Sequence, residues 1–185
     1  MNNKIFIITG PSAVGKTTIA KTIFERFPKL KSAITYTTRT KRDWSQEDKL
    51  IHYVSHDEFK ELIKHDQFIE WAEVYGEFYG TGKKELLEIL ENNSVLLNID
   101  VQGAQNIKKQ FPESIAFFIQ PDSLKTLKER IDERPIDQNI KDKRWQAAKV
   151  EMAKSKEFDH QITNIDGQLE IALAQISEII RQNIS

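Results

Sequence analysis

The sequence predicts an α/β fold of three layers, in which helices cover both faces of a parallel sheet. Short apolar runs rich in β-branched residues recur along the chain, and the spacing after them changes to the three- and four-residue steps of an amphipathic helix. Strands that alternate with helices form parallel sheets that are buried on both faces. A chain of 185 residues is long enough to bury one such core without disulfides.

The predicted elements follow in order. Residues 4–9 form a buried strand that ends at Gly10, and helical spacing runs from Gly15 until Pro28 ends it. Further strands are expected at residues 95–100, 115–119 and, more weakly, 161–165, and the last helix ends around Ile180. The expected core therefore comprises residues 1–32, 83–121 and 146–185.

Two segments differ from this pattern. Residues 33–82 contain short strands around one helix and predict an inserted mixed β subdomain, with strands at 33–38, 51–55, 68–75 and 77–79 and a helix at 57–65. Residues 122–145 are highly charged and are interrupted by Pro135, which is typical of a helical lid, although a solvated loop has the same composition.

The composition excludes several classes of protein. The 27 basic and 28 acidic residues nearly cancel, so net charge gives no reason to expect nucleic-acid or membrane binding. There is no cysteine, and the four histidines lack the spacing of a catalytic metal site. No apolar run reaches membrane-spanning length and no signal-type segment opens the chain, so we expect a cytoplasmic protein, either a monomer or a homodimer.

A phosphate-binding loop lies between the first strand and the first helix. The motif G-x-x-x-x-G-K-[ST] is matched by Gly10-Pro11-Ser12-Ala13-Val14-Gly15-Lys16-Thr17, and Thr18 adjoins it. Backbone N–H groups of such a loop converge on phosphate oxygens, and the helix dipole adds to the attraction. Lys16 would reach the β and γ phosphates, and Thr17 would coordinate Mg²⁺. The loop therefore predicts binding of ATP with Mg²⁺.

Charged residues elsewhere suggest the rest of a phosphoryl-transfer site. Asp100 ends a buried strand at the sheet edge where ligands bind; it is a candidate for magnesium, for capping the next helix, or for both. Arg39 and Arg42 suit bidentate phosphate contacts, although a solvated basic loop has the same appearance. Arg130 and Arg134 are four residues apart and would share one helix face, either over the phosphates or exposed to solvent.

The sequence resembles the guanylate kinase family over nearly its whole length. The phosphate loop is similar, and Thr35-Tyr36-Thr37-Thr38-Arg39 with Arg42 is similar to the segment with which the family grips the GMP phosphate. Two segments resemble those that close the family's GMP pocket: Phe68-Ile69-Glu70-Trp71-Ala72 and Phe78-Tyr79-Gly80-Thr81. A third, Ile99-Asp100-Val101-Gln102-Gly103, resembles the strand end and turn beyond that pocket.

The resemblance implies transfer of a phosphoryl group from ATP to GMP, and also to dGMP, by direct in-line displacement. It implies that the acceptor phosphate is held by Arg39, Arg42, Tyr53 and Tyr79, and that the base is read by Glu70, Thr35 and Thr81 beside Asn98. It also implies that the lid arginines are Arg130, Arg134 and Arg144, and that Asn164 contacts the adenine end of ATP. An ionised Glu70 can accept from the guanine N1–H and N2 amino group, whereas adenine has an acceptor at N1. Without the resemblance, Glu70 would be interpreted as a surface partner for Lys64.

Several positions depart from the family pattern. Ala13 replaces a loop glycine, which is tolerable if the residue has negative φ. Thr35 replaces a serine, Asn98 replaces an aspartate, Arg134-Pro135 replaces an arginine-glycine turn, and the connection from Arg42 to Tyr53 is longer than usual. Two alternatives therefore stay open: a kinase for another nucleoside monophosphate or a ribose phosphate, and a catalytically silent binding module.

Overall fold

The computed structural model describes residues 3–41 and 50–184. Its strands are β1 (Ile5–Thr9), β2 (Thr35–Thr37), β3 (Ile51–Tyr53), β4 (Phe68–Val74), β5 (Glu77–Gly82), β6 (Val95–Asn98), β7 (Ile115–Pro121) and β8 (His160–Asn164). Its α-helices are α1 (Lys16–Arg26), α2 (His56–Lys64), α3 (Lys83–Leu90), α4 (Val101–Gln110), α5 (Leu124–Asp132), α6 (Gln138–Ala153) and α7 (Leu169–Asn183). Within these two ranges, no helix is long and apolar enough to cross a membrane.

The central sheet is parallel, in the order β6-β1-β7-β8. In register, Ile7 of β1 lies between Leu97 of β6 and Ala116 of β7. Because the strands are parallel, their carboxyl ends meet at one edge, where the loop after β1 and the residues after β6 come together. The predicted parallel sheet is confirmed.

Helices pack on both faces of this sheet. Phe6 and Ile8 of β1 join a core with residues of α1, α5, α6 and α7 on one face, whereas Ile5 and Ile7 join a second core with residues of α3 and α4 on the other. Alternate side chains of a strand point to opposite faces, so two apolar cores require an uninterrupted apolar strand. This requirement explains the run Ile5–Thr9 and confirms the three layers.

A second sheet, in the order β3-β2-β5-β4, is mixed in direction. Strand β5 is antiparallel to both of its neighbours, β4 and β2, and β2 is parallel to β3. Phe59 of α2 stacks on Phe68 and on Phe78, with ring centroids 4.5 and 5.2 Å apart, and so fastens the helix to the sheet. A Cβ at Gly80 would come within 3.0 Å of Phe59 and Phe68, so this close packing requires a glycine.

The charged segment after β7 forms two helices with a turn at Pro135. Helix α5 ends at Asp132, and α6 begins at Gln138 and continues past residue 145 to Ala153. Arg134 therefore lies in the turn, beyond the last residue of α5. The prediction that Arg130 and Arg134 share the face of one helix is wrong, because the helix stops before Arg134.

Candidate active site

A cavity of about 410 Å³ lies at the carboxyl edge of the central sheet, between that sheet, the mixed sheet and helix α6. The predicted site residues that line it are Gly10, Ser12, Ala13, Gly15, Lys16, Thr17, Thr18, Thr35, Arg39, Glu70, Tyr79, Asn98, Asp100, Arg134 and Arg144. The fold thus brings together residues from five separate parts of the sequence. Arg42 lies outside the described residues.

The phosphate loop is shaped by three residues in the left-handed region. Gly10 has φ 133°, Ala13 has φ 69° and Gly15 has φ 93°. The condition under which Ala13 was expected to replace a glycine without strain, a negative φ, is therefore not met. A non-glycine residue in this conformation costs about 1 kcal/mol, so the loop imposes the conformation on Ala13.

The loop is attached to the sheet at two points. A Cβ at Gly10 would collide with the carbonyl oxygen of Ile119 in β7, so only glycine allows the strand and the loop to approach so closely. Asn164, at the end of β8, donates from Nδ2 to the carbonyl of Val14 at 2.8 Å. The same amide nitrogen fills the space that a side chain at Gly15 would need. Asn164 thus braces the phosphate loop.

Lys16 lies in the cavity with its ammonium group on the loop itself. Its Nζ donates to the carbonyls of Gly10 at 2.7 Å and Pro11 at 2.8 Å. Burial lowers the pKa of Lys16 to about 8, although the carboxylates of Glu151 and Asp100 oppose this effect. The ammonium group of Lys16 is therefore a donor that lies against the backbone of the phosphate loop.

Asp100 caps helix α4. Its Oδ1 accepts from the N–H groups of Gln102 at 2.8 Å and Gly103 at 3.2 Å. The residue also lines the cavity beside the phosphate loop. The capping role considered for Asp100 is confirmed, and the same position keeps its carboxylate at the ligand edge of the sheet.

Glu70 also lines the cavity and is buried, with 5% of its surface exposed. Thr81 Oγ1 donates to its Oε1 at 2.5 Å, and the absence of a side chain at Gly103 leaves room for its Oε2. Burial raises the pKa of Glu70 to about 7, and the charge of Asp100 adds to this, while the hydrogen bond from Thr81 opposes it. The pairing of β4 with β5 shifts register between Phe68 and Glu70.

Residues on and beside the mixed sheet also line the cavity, namely Thr35, Arg39 and Tyr79. Thr35 lies opposite Thr81 and Thr37 lies opposite Tyr79 in register, so these side chains share one region of the sheet. The guanidinium of Arg39 lies 5.8 Å from the ring centroid of Tyr53, which is not among the described residues that line the cavity. Among the residues that the structure describes, nothing bonds to the buried hydroxyl of Tyr53. This hydroxyl is a donor that an additional acceptor would satisfy.

The three arginines predicted for the lid, Arg130, Arg134 and Arg144, lie in different places. Arg144 of α6 donates from Nη1 to Ser12 Oγ of the phosphate loop at 2.8 Å, and Arg134 lines the cavity. Arg130 instead donates to Asp166 at 2.8 Å, and it is absent from the described residues that line the cavity. The three arginines expected to act together are therefore separated into two that face the cavity and one that forms an ion pair outside it.

Two residues of the cavity were missed by the sequence analysis. Glu151 has a pKa raised to about 7 by burial, with Lys16 opposing and Asp100 reinforcing the shift. Glu151 lies seven residues after Arg144 on α6, a spacing of about two turns that places both on one helix face. This spacing is the sequence feature that could have indicated Glu151. Tyr75 lines the cavity from the turn between β4 and β5, where an aromatic residue is unusual.

The cavity is lined by cations, by the backbone of the phosphate loop and by the buried carboxylate of Glu70. An arrangement of this kind suits two anionic substrates, one of which carries a base to be read. This is the arrangement of a phosphoryl-transfer site.

Comparison with known proteins identifies the family. A family model described as guanylate kinase matches residues 2–183. Guanylate kinases of Dechloromonas aromatica and Trichodesmium erythraeum are 39% and 37% identical to this chain, over 98% and 96% of it and 90% and 95% of their own lengths. A crystal structure of guanylate kinase from Anaplasma phagocytophilum superposes with a TM-score of 0.76 at 26% identity and covers 98% of this chain and 86% of that one. The chain belongs to the guanylate kinase family.

The raised pKa of Glu70 predicts a pH-dependent stability. The folded chain keeps a proton on Glu70 that the unfolded chain has lost between pH 4.5 and about 7, so the free energy of unfolding falls as pH rises through this range. The shift corresponds to roughly 3 kcal/mol at most. We expect Glu70→Gln to match the wild type in stability near pH 5 and to exceed it by roughly 1–3 kcal/mol at pH 8, measured by urea unfolding.

Glu73→Gln is the matched control, because Glu73 lies on the exposed side of the same strand. Its pH dependence is expected to follow that of the wild type. An equal pH dependence in the wild type and Glu70→Gln would contradict the assignment of this titration to Glu70.

Proposed function

We propose that the chain catalyses the transfer of the γ-phosphoryl group of Mg-ATP to GMP, and also to dGMP, by direct in-line displacement. The observation that carries the proposal is the position of Glu70, which is buried in the same cavity as the phosphate loop and hydrogen-bonded to Thr81. A buried carboxylate at this place suits guanine, which presents two adjacent N–H donors, and rejects adenine, which would face it with an acceptor.

The donor half binds ATP through the loop from Gly10 to Thr18. The loop amides and Lys16 hold the phosphates, and Thr17 and Asp100 would hold Mg²⁺, which neutralises charge on the β and γ phosphates when it is bound. Within the described ranges, no cluster of three or more His, Asp or Glu residues is placed to bind a metal. Asn164 acts at the ATP end by fixing the loop.

The acceptor half binds the base and the phosphate separately. Glu70 accepts from the guanine N1–H and N2 amino group, and the hydroxyls of Thr35 and Thr81 lie beside it. The acceptor phosphate is assigned to Arg39, Arg42, Tyr53 and Tyr79. The unpartnered hydroxyl of Tyr53 supports this assignment, because a phosphate oxygen would satisfy it.

Transfer itself requires alignment and charge neutralisation rather than a covalent intermediate. Lys16 lies on one side of the transferring group, and Arg134 and Arg144 reach the same cavity from the lid. Their positive charges would act on the oxygens as charge spreads in the transition state, in a cavity from which the lid excludes water. Arg130 pairs with Asp166 outside the cavity, and its role at the phosphates stays a prediction.

One observation favours a second acceptor. Asn98 is exposed at the end of β6 and lines the cavity, where the family commonly has an aspartate. An amide there removes a charge and supplies a donor, so a different nucleoside monophosphate or a ribose phosphate is the alternative substrate. The binding-module interpretation is set aside, because the chain is a nucleoside monophosphate kinase.

Acceptor preference is tested by a coupled ADP-release assay with Mg-ATP and a panel of GMP, dGMP, IMP, AMP, UMP, CMP, dTMP and ribose phosphates. We expect kcat/KM for GMP to exceed that for AMP by about 10³. In Glu70→Gln we expect GMP use to fall while the KM for ATP stays near the wild-type value. Preference for another acceptor would replace GMP in this account, and equal losses for both substrates in Glu70→Gln would indicate a structural role for Glu70.

The role of Lys16 is tested by Lys16→Met, which removes the ammonium group and keeps an apolar stem. We expect kcat to fall by about 10² or more, because the lost charge acts on the transition state. Lys21→Met is the matched control, since Lys21 is exposed on the same helix, and it should retain activity. Thermal unfolding should show both variants folded. Undiminished turnover in folded Lys16→Met would contradict the mechanism.

A further inference from the structure

The turn between β4 and β5 contains an aromatic residue in a strained conformation. Val74 pairs with Glu77, and the two residues between them, Tyr75 and Gly76, have φ 57° and 85°. Two-residue hairpin turns with positive φ at both positions favour asparagine, aspartate or glycine at the first. A bulky side chain at this position is an outlier. Such strain persists where the surrounding structure compensates for it, and functional sites are common places for it.

The side chain of Tyr75 makes a specific contact across the cavity. The guanidinium carbon of Arg144 lies 4.8 Å from the centroid of the Tyr75 ring, within the range of a cation–π interaction. The same guanidinium donates to Ser12 Oγ. One arginine therefore joins the mixed sheet, the lid helix and the phosphate loop.

This contact holds the guanidinium without using its hydrogen-bond donors. An aromatic ring binds the flat face of the group, so the N–H donors at its edge stay available to phosphate oxygens. In the described part of the chain, Arg144 Nε is buried and has no hydrogen-bond partner. A carboxylate in place of Tyr75 would occupy those donors and cancel the charge, whereas the ring orients the arginine and leaves its charge intact.

We propose that Tyr75 is a positioning residue, which carries Arg144 on its ring face and aims it at the phosphates between the two substrates. The proposal rests on the catalytic role given to Arg144 under the proposed function. It also connects the acceptor-binding sheet to the lid, because Tyr75 is four residues before Tyr79 in the same hairpin.

The central test is Tyr75→Asn, because asparagine suits the left-handed conformation and removes only the ring. We expect the variant to be at least as stable as the wild type in thermal unfolding, and its kcat to fall about tenfold. The KM values for ATP and GMP should change less than about threefold, because the ring acts through Arg144 in the transition state. Tyr75→Phe keeps the ring and should retain the wild-type kcat.

Two further variants separate the possible causes. Asp66→Asn places an asparagine at another left-handed position, φ 53°, where the side chain pairs with Lys83 outside the cavity, and it should leave the kinetics unchanged. Arg144→Met should lower kcat by about 10² or more, and adding Tyr75→Asn to it should cause little further loss, because the ring has no guanidinium left to hold.

The outcomes distinguish this proposal from the function on which it rests. Wild-type turnover in Arg144→Met would contradict the catalytic role of Arg144 itself. If Arg144→Met is defective, the Tyr75 proposal alone is overturned by an unchanged kcat in Tyr75→Asn, by an equal defect in Tyr75→Phe, or by effects of Tyr75→Asn and Arg144→Met that multiply independently.

Discussion

The hydrogen bond from Asn164 to the carbonyl of Val14 fixes the phosphate loop, and the rest of the site depends on this loop. It ties the phosphate loop to the end of β8, while the close approach of Gly10 to Ile119 ties the loop to β7. A loop with three left-handed residues is not a stable conformation by itself, and neighbouring strands must impose it. The parallel sheet thus fixes the direction of the loop amides, and the position of Lys16 follows from it.

The cavity is also lined by ionisable groups whose pKa values are shifted by burial. Burial lowers the pKa of Lys16 to about 8 and raises those of Glu70 and Glu151 to about 7. Groups with such shifts are destabilised in the absence of a charged partner, and they are typical of sites that bind charged ligands. An anionic phosphate chain would supply a partner for Lys16, and the N–H groups of a purine base would satisfy Glu70. The fold therefore tolerates local instability at the residues that meet the substrates.

Much of the fold could be predicted from the sequence, because continuous apolar runs and the phosphate-loop motif depend on local patterns. The position of Glu70 could not. By pattern alone it is a surface partner for Lys64, yet Lys64 pairs with Glu61 at 2.5 Å, and Glu70 lies inside. A register shift beside it changes which residues of β4 point inward, and strand alternation in the sequence does not reveal such a shift. The resemblance to a family supplied what the pattern lacked.

Other residues depended on tertiary structure. Arg130 and Arg134 have the spacing of one helix face, but α5 ends between them. Tyr75 and Glu151 belong to the cavity only because the hairpin and α6 meet over the phosphate loop. Ala13 has a positive φ because the loop requires it, whichever residue occupies the position. Long-range packing decides these features, and local sequence carries little information about them.

In the proposed arrangement, one cavity brings the donor and acceptor phosphates together and excludes water. Following a mixture of Mg-ATP, GMP and the protein by ³¹P NMR tests this arrangement. We expect ADP and GDP to appear in equal amounts, without accumulation of inorganic phosphate. Release of inorganic phosphate from ATP, with GMP left unchanged, would contradict the arrangement.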